Sequence, residues 1–246
     1  MRYLVISDLH SSWEALEAVL DAARGEYDRI VCCGDLAGYG PDPNRVIDWA
    51  RNNLYAVIRG NHDRVCSGVE GLEWFNEVAQ AASIWTMSRL SRENWEYLRA
   101  LPSGPLTVDG FQLIHGSPLD EDEYLLSMTD ARNVFSYLQT NLAFFGHTHL
   151  QGGFEWRHGQ YRTIWRMELF QKEVHYRLDP DAAYLINPGS VGQPRDGDRR
   201  AAFSLFDSEG YEIVHRRVEY DYEVTRRKIE AAGLPGVLGS RLVVGR

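Results

Sequence analysis

The sequence is poor in lysine and has no excess of positive charge. Only Lys172 and Lys228 among its 26 basic residues are lysine, and 35 acidic residues give a formal net charge of -9 at pH 7. A balance of this sign argues against a protein that binds a nucleic-acid polymer through a broad basic face. The chain also lacks any apolar stretch near the roughly 18 residues that a membrane helix needs, so we expect no membrane partner.

Cysteine is scarce as well, because the chain has only Cys32, Cys33 and Cys66. Three cysteines are too few for a disulfide framework, and the first two are adjacent in an apolar run that begins at Ile30. We therefore predict buried, reduced thiols and, by default, a cytoplasmic protein. The first residues are not typical of a signal peptide, because the apolar segment that ends at Ile6 is too short.

The rest of the composition is that of an ordinary globular protein, with 44% apolar, 12% aromatic and 25% charged residues in a chain of 246. A chain of this length can form one large domain. We see no repeat, low-complexity tract or linker-like segment, so we predict a single domain over 1–246. Its last part, 221–246, is predicted to contain a closing helix and a tail, and we expect the tail from Leu234 to be loosely held.

The first sixty residues alternate between predicted strands and helices, an order typical of a parallel sheet with right-handed crossovers. Ser11 and Glu14 have the spacing of a capping box. Asp109-Gly110 indicates a two-residue hairpin turn, and after Thr148 we expect antiparallel strands. The predicted strands are 3–7, 29–33, 54–58, 106–108, 111–115, 141–145, 153–156, 161–165, 183–186, 201–206 and 211–218. The predicted helices are one from Ser11 to near Gly25 and those at 43–52, 74–86, 91–99, 130–138 and 220–232.

Five short polar clusters follow predicted strands. Because ligands bind beyond the carboxyl ends of the strands in a parallel sheet, we expect the five clusters to meet at one edge. Each cluster alone is typical of an ordinary turn or loop. Together they bring five of the eight histidines beside carboxylate and amide oxygens, a donor set suited to transition metals. The clusters are Asp8-Leu9-His10, Gly34-Asp35, Gly60-Asn61-His62-Asp63, His115-Gly116 and Gly146-His147-Thr148-His149.

These motifs, in this order, resemble those of the calcineurin-like metallophosphoesterase superfamily, and the match covers residues 1 to about 195. The resemblance implies an α/β fold in which a two-layer β-sandwich of mixed parallel and antiparallel sheets is flanked by α-helices, in four layers αββα. It also implies two divalent metal ions at the sheet ends. Manganese, iron, zinc, cobalt and nickel suit such ligands, with manganese or zinc favoured.

The resemblance also implies a role for each motif residue. His62 matches the family's acid near the leaving group, and Asp63 is its implied partner. We expect substrate contacts from Asn61, His62 and Arg195, with a solvated loop arginine as the alternative for Arg195. The implied metal ligands form two sets that share Asp35 as a bridge: Asp8, His10, Asp35 and His149 in one, and Asp35, Asn61, His115 and His147 in the other.

Within the superfamily, the chain resembles the small bacterial and archaeal phosphodiesterase branch. The Ser/Thr protein-phosphatase branch carries Gly-Asp-x-x-Asp-Arg-Gly and Gly-Asn-His-Glu, whereas this chain has no second aspartate between Gly34 and Gly40 and ends its later motif with Asp63. The segment 187–192, Asn-Pro-Gly-Ser-Val-Gly, matches the phosphodiesterase branch. In one departure, Ser11-Ser12 stand where that branch usually has Gly-Asn, and neither position is a metal ligand in the family.

The expected function is dinuclear-metal-dependent hydrolysis of phosphoesters, with small phosphodiesters favoured, by in-line attack of a metal-bridging hydroxide. The alternatives are a phosphomonoesterase and a catalytically weak or inactive metal-binding scaffold of the same fold. A DNA nuclease is disfavoured by the acidic balance. The expected partner is a small phosphoester, and a homo-oligomer stays open. Arg59 and Arg64 are interpreted as structural or solvated, and Tyr39 and Trp13 as core or rim residues in preference to contacts with an aryl group.

Overall fold

Two six-stranded β-sheets form the centre of the computed structural model, which describes residues 1–164, 167–168 and 171–246. The first sheet contains, in spatial order, β3 (Ala56–Val57), β2 (Arg29–Cys32), β1 (Arg2–Ile6), β11 (Ala201–Asp207), β12 (Glu212–Val218) and β9 (Glu173–Arg177). The second contains β4 (Leu106–Val108), β5 (Phe111–Leu113), β6 (Leu142–Phe144), β10 (Ala183–Asn187), β7 (Gly152–Arg157) and β8 (Gln160–Ile164).

Both sheets mix parallel and antiparallel pairs. β1, β2 and β3 are parallel, because helical crossovers connect them, and β11 pairs with β1 in the antiparallel direction. In the second sheet β6 is parallel to β5 and β10, whereas β10, β7 and β8 are antiparallel. The helices are α1 (Trp13–Ala22), α2 (Pro43–Asn53), α3 (Asn61–Cys66), α4 (Glu77–Arg89), α5 (Arg92–Ala100), α6 (Met128–Val134, continued by a 3₁₀ turn at Phe135–Tyr137), α7 (Tyr222–Ala231) and α8 (Gly236–Val244).

The burial of alternate residues on β1 explains the layering. Leu4 and Ile6 belong to the core between the first sheet and its helices, whereas Tyr3 and Val5 belong to the core between the two sheets. The outer face of the second sheet packs against α6 through a third cluster that includes Phe145 and Ala131. The predicted four-layer αββα sandwich is therefore confirmed. Because both faces of the central strands are covered, their sequences are continuous apolar runs.

Several local predictions are confirmed by the hydrogen-bonding pattern. The Asp109-Gly110 turn joins β4 and β5 with both residues at positive φ, 46° and 95°, and Val108 lies opposite Phe111. The helix predicted at 91–99 forms as α5, and Ser91 caps it by accepting a hydrogen bond from the backbone N–H of Asn94. All three cysteines are buried and unpaired.

No helix within the described ranges is long and apolar enough to cross a membrane.

One local prediction, the capping box at the start of the first helix, is wrong. The N-cap of this helix is Ser12, whose side chain makes no cap hydrogen bond, so the Ser11–Glu14 capping box does not form. Ser11 has a φ of 54°, and the Glu14 carboxylate accepts hydrogen bonds from Thr225 and Lys228 on α7 instead. A tertiary contact with a cation has thus replaced the local cap that the spacing suggested.

The chain end is also different from the prediction, because the tail expected to be loose forms α8. Leu238 and Leu242 are 1% and 4% exposed and pack in a cluster with Tyr39 and with Ala82 of α4. Pattern reading missed α8 since its glycines resemble turn signals. Two further elements were not predicted: β9, an edge strand whose residues alternate in burial, and the six-residue helix α3. The helix that was expected to begin at residue 74 begins at Glu77, after the Asn76 cap. Position 165 of a predicted strand lies outside the described residues.

Candidate metal centre

The five polar clusters lie together at one edge of the sandwich. Asp8 and His10 follow β1, and Asp35 follows β2 of the first sheet. Asn61 and His62 follow β3 of the first sheet, His115 follows β5 of the second sheet, and His147 and His149 follow β6. Because parallel strands end at the same edge, both sheets direct these loops into one space. The structure therefore brings together all seven side chains that the sequence analysis proposed as ligands: Asp8, His10, Asp35, Asn61, His115, His147 and His149.

The first set of donor atoms is buried and compact. One ligand atom from each of Asp8, His10, Asp35 and His149 lies within 4.8 Å of all the others. The His10 and His149 Nε2 atoms are 3.1 Å apart, and His149 Nε2 is 3.5 Å from Asp8 Oδ1. His10 Nε2 is 3.6 Å from Asp35 Oδ2. Two carboxylates and two imidazoles at this spacing form a donor set for one divalent cation.

The second set shares Asp35 with the first. Donor atoms of Asp35, His115 and His147 again lie within 4.8 Å of one another. His115 Nε2 is 3.4 Å from Asp35 Oδ2 and 3.1 Å from Asn61 Oδ1. The same Asp35 oxygen thus lies near imidazole nitrogens of both sets, in the position that a bridging carboxylate would require.

Backbone carbonyls fix the ring orientation of the histidines. His10 Nδ1 donates to the Ala37 carbonyl at 3.0 Å, and His149 Nδ1 donates to the Gln193 carbonyl at 2.6 Å. A carbonyl only accepts, so each Nδ1 carries the proton and each neutral ring presents its Nε2 lone pair to the site. His147 is oriented the other way, because its Nε2 donates to the Asp122 carbonyl at 3.1 Å and leaves Nδ1 free.

These observations test whether divalent cations fit the site. Two bare nitrogens that face each other at 3.1 Å, together with a buried Asp8 Oδ2 that has no hydrogen-bond partner, form an arrangement that a cation would satisfy. Burial lowers the pKa of His10 and His149, so neither ring carries a charge at neutral pH. Burial also acts to lower the pKa of His115, but Asp35 raises it to about 10. In the cation-free protein His115 therefore holds a proton that a metal ion would displace.

The site is built from strained backbone. Ten non-glycine residues of the described chain have positive φ, and five of them are Asp8, His10, Asp35, His147 and His149, with φ between 43° and 64°. Non-glycine residues adopt this region rarely and at a free-energy cost, and such residues cluster at functional sites. Sequence reasoning missed this feature, because no residue pattern specifies the left-handed conformation at Asp or His.

The first residue of the Gly-Asn-His-Asp motif, Gly60, must be glycine for a steric reason. A Cβ at this position would lie 2.1 Å from Asp35 Oδ1, so only glycine lets the Asp35 carboxylate approach the backbone. The same Asp35 oxygen accepts the backbone N–H of His62 at 2.9 Å. The motif therefore positions Asp35 in addition to supplying Asn61.

His62 lies at the site, but Asp63 does not contact it. The Asp63 carboxylate accepts the backbone N–H groups of Ala37 and Gly60, at 2.9 and 3.0 Å, and no hydrogen bond among the described residues joins it to His62. The implied pairing of Asp63 with His62 is wrong, because Asp63 is at the third position of α3 and faces back across the N-terminus of that helix. It ties the Asp35 loop to the Asn61 loop.

The imidazole of His62 is neutral at pH 7 in the cation-free protein, since burial lowers its pKa to about 4. Its ring packs against those of Tyr39 and Phe75, with centroids 4.4 and 4.5 Å away. The ring therefore carries one N–H and lies within a wall that is largely aromatic.

A cavity of about 430 Å³ opens onto the site. Arg195 lines it, and its Nη2 lies 3.1 Å from Gln193 Oε1 and 3.4 Å from the Tyr39 hydroxyl. Tyr39 also lines the cavity, whereas Trp13 is not among the lining residues and stacks under the Arg45 guanidinium, 4.0 Å from its ring centroid. Three further lining residues, Trp74, Phe75 and Tyr124, were missed because they come from loops without a motif.

Comparisons with known proteins agree with this geometry. The family model described as the calcineurin-like phosphoesterase superfamily domain matches residues 1–210, and the chain belongs to this superfamily. The uncharacterized protein MJ0912 of Methanocaldococcus jannaschii is 36% identical over 247 residues, which cover 98% of this chain and 97% of that protein. The family membership and the clustered acidic and histidine side chains together indicate a divalent-metal-binding phosphoesterase class.

Two crystal structures share the fold over the whole chain. A metallophosphoesterase from Sphaerobacter thermophilus is 35% identical with a TM-score of 0.88, and the match covers 100% of both chains. The hypothetical protein PH1004 from Pyrococcus horikoshii OT3 is 20% identical with a TM-score of 0.79, and the match covers 100% of this chain and 98% of that one. The second likeness concerns the fold alone.

Proposed function

We propose that this protein hydrolyses small phosphoesters, with phosphodiesters favoured, and that it does so with two divalent cations. The observation that carries the proposal is the pair of buried donor sets that share one oxygen of Asp35. When bound, a pair of divalent cations supplies charge stabilisation for the phosphoryl oxygens and lowers the pKa of water. Asp8, His10 and His149 would hold one cation, and Asn61, His115 and His147 the other, with Asp35 common to both.

The side chains around the donor sets suit binding and proton transfer. Arg195 has no carboxylate partner within ion-pair distance in the described structure, so its guanidinium is available to orient a phosphoryl oxygen. His62 lines the cavity, and the negative charge of a bound phosphodiester favours its protonated form, which can donate a proton to the ester oxygen. Asp63 acts on these groups only through the backbone that it fixes.

Hydrolysis of bis(p-nitrophenyl) phosphate by the manganese-loaded protein, with bound metal quantified in the same sample, tests the proposal. We expect turnover that Asp35→Asn and His115→Ala both abolish, because each removes a donor from the shared centre. His175→Ala is the matched control, since this exposed histidine pairs with Glu173 and Glu212 on the outer strands.

The same assay separates the alternatives. Faster turnover of p-nitrophenyl phosphate than of the diester would make the protein a monoesterase. A fully metal-loaded protein that turns over no monoester and no diester would instead be a scaffold, and the proposed function would be wrong.

A further inference from the structure

The wall of the cavity away from the donor sets is aromatic. The Phe75 ring packs on His62 with centroids 4.5 Å apart, and the Tyr124 ring packs on His147 with centroids 4.0 Å apart. Trp74, next to Phe75, also lines the cavity. Aromatic surface thus extends outward from two residues of the candidate centre.

Trp74 is exposed in a way that packing does not explain. Its relative exposure is 87%, and no ring or cation contact to it occurs among the residues that the structure describes. Trp74 lines the same cavity as Phe75 and Tyr124, and an exposed apolar patch in a cavity marks a place where a ligand binds. Trp156 is partly exposed too, but it lies on β7 and does not line the cavity.

The loop that carries Trp74 is held in place on both sides of it. The Gln80 side chain donates to the carbonyls of Leu72 and Phe75, at 3.2 and 2.8 Å, and the Phe75 N–H donates to the Leu72 carbonyl. Asn76 then caps α4 by accepting the N–H groups of Val78 and Ala79. Trp74 is therefore presented from a hydrogen-bonded turn, which lowers the entropic cost of stacking a ligand on it.

Charge at the mouth argues against a second phosphate there. Arg64 pairs with Glu70, Glu121 and Asp122, and Arg59 pairs with Glu121 as well. Of these groups Glu70, Asp122 and Arg64 line the cavity, so two carboxylates and one guanidinium leave an excess of negative charge on this side of it. The outer part of the cavity therefore suits an uncharged group, and the free lone pairs of Glu70 and Asp122 can accept hydrogen bonds from amino groups.

We propose that Trp74 is a specificity-determining platform on which a planar, uncharged ring of the substrate, a nucleobase, stacks while the phosphoryl group lies among the donor sets. This inference rests on the proposed function and narrows its substrate class to nucleoside phosphodiesters with a single phosphoryl group. A nucleobase fits these observations, because it is flat, uncharged and carries N–H donors.

Binding of AMP and of ribose 5-phosphate to the manganese-loaded protein tests the inference without relying on turnover. The two ligands share the sugar phosphate and differ in the base. By calorimetry, we expect AMP to bind at least about fivefold more tightly, which is the lower end for stacking of a base on an aromatic side chain. Trp74→Ala should remove this difference without changing the affinity for ribose 5-phosphate, and Trp74→Phe should keep most of it.

Trp156→Ala is the control and should behave as the wild type. Equal affinities for the two ligands, no detectable binding of AMP, or an equal loss for both ligands in Trp74→Ala would each overturn the inference. Hydrolysis of bis(p-nitrophenyl) phosphate in the same samples separates the two proposals. Hydrolysis without a base preference refutes the Trp74 platform alone, and a Trp74-dependent base preference without hydrolysis of any phosphoester refutes the proposed activity alone.

Discussion

The Nε2 atoms of His10 and His149 lie 3.1 Å apart, and the Nδ1 atom of each ring donates to a backbone carbonyl. The two rings come from loops 139 residues apart in the sequence. Their lone pairs repel at this distance unless a cation or a proton is shared between them. The fold itself thus forces together two groups that are compatible only when something positive binds there.

The shared carboxylate gives a prediction about metal content. We expect two divalent ions per wild-type chain, about one in His149→Ala, and less than one in Asp35→Asn, because Asp35 belongs to both donor sets. Elemental analysis after dialysis against manganese measures this. His175→Ala should retain two ions, and an unchanged metal content in Asp35→Asn would contradict the bridging position.

Removal of the metal should also lower the thermal stability. A ligand present at a hundred times its dissociation constant stabilises the folded state by about 2.7 kcal/mol. For a chain of this length that corresponds to a fall in Tm of roughly 5–10 °C when the ions are chelated. Scanning calorimetry with and without EDTA measures it, and His149→Ala should show a smaller EDTA effect than the wild type. An EDTA-insensitive Tm in metal-loaded wild type would count against both sites.

The sequence was enough to predict the four layers and the convergence of the seven donors. Apolar strands such as 3–6, which is followed two residues later by Asp8, place polar groups at sheet ends whatever the loops do. The sequence was not enough to predict the hydrogen-bond partners of Asp63 or the position of Trp74 at the cavity. The partner of Asp63 depends on how the Ala37 loop folds beside α3, and Trp74 lies in a loop whose course is fixed by Gln80, four residues into the next helix. Contacts of this kind depend on tertiary structure and leave no periodic pattern.

His62 should matter most for esters with poor leaving groups. It lines the cavity, where the negative charge of a bound phosphodiester favours the protonated ring, and loss of a positioned general acid typically costs a factor of about 10² to 10⁴. We expect His62→Ala to lower kcat/KM in that range for diphenyl phosphate and by no more than about tenfold for bis(p-nitrophenyl) phosphate, whose leaving group needs little protonation. The two diesters have similar shapes, so an equal loss for both would indicate that His62 only positions the substrate or the metal ligands.

We expect the Asp63 carboxylate to stabilise the folded protein. Its carboxylate accepts two buried backbone N–H groups, and Asp63→Asn turns one of these contacts into an unsatisfied donor facing a donor. Such a loss costs about 1–3 kcal/mol of the free energy of unfolding. Urea denaturation measures it, with the exposed Asp48→Asn on α2 as the control that should change little. If Asp63 instead oriented His62, Asp63→Asn would leave the stability unchanged and alter only the turnover of esters with poor leaving groups.

The C-terminal helix α8 offers a comparison between neighbouring residues. Leu238 is 1% exposed and packs with Tyr39 and Ile229, whereas Val237 is 43% exposed. We expect Leu238→Ala to lower the free energy of unfolding by about 2–4 kcal/mol and Val237→Ala by less than about 0.5 kcal/mol. Urea denaturation distinguishes them. Equal, small effects would mean that 234–246 is the loosely held tail that its glycines suggest.

His215, which belongs to neither donor set, makes the stability of the folded protein depend on pH. It is buried on β12, its Nδ1 is 2.7 Å from the Ser204 hydroxyl, and burial together with nearby Arg217 lowers its pKa from 6.5 to about 3. The unfolded chain binds a proton at this residue below pH 6.5 and the folded chain does not until about pH 3. Protonation therefore favours the unfolded state, and stability falls with decreasing pH by up to about 1.4 kcal/mol per unit in this window.

The difference between wild type and His215→Gln isolates this effect. Both proteins keep the other histidines, so their titration cancels when urea denaturation of the two is compared at each pH, with EDTA present in both. Below pH 6.5 the wild type should lose stability more steeply than the variant, although the variant is less stable at pH 8 because its side chain packs less well. His175→Gln should not flatten the pH dependence in this way, since His175 is exposed and its pKa is raised by Glu173 and Glu212. Parallel curves for wild type and His215→Gln would show that His215 reaches water before the chain unfolds.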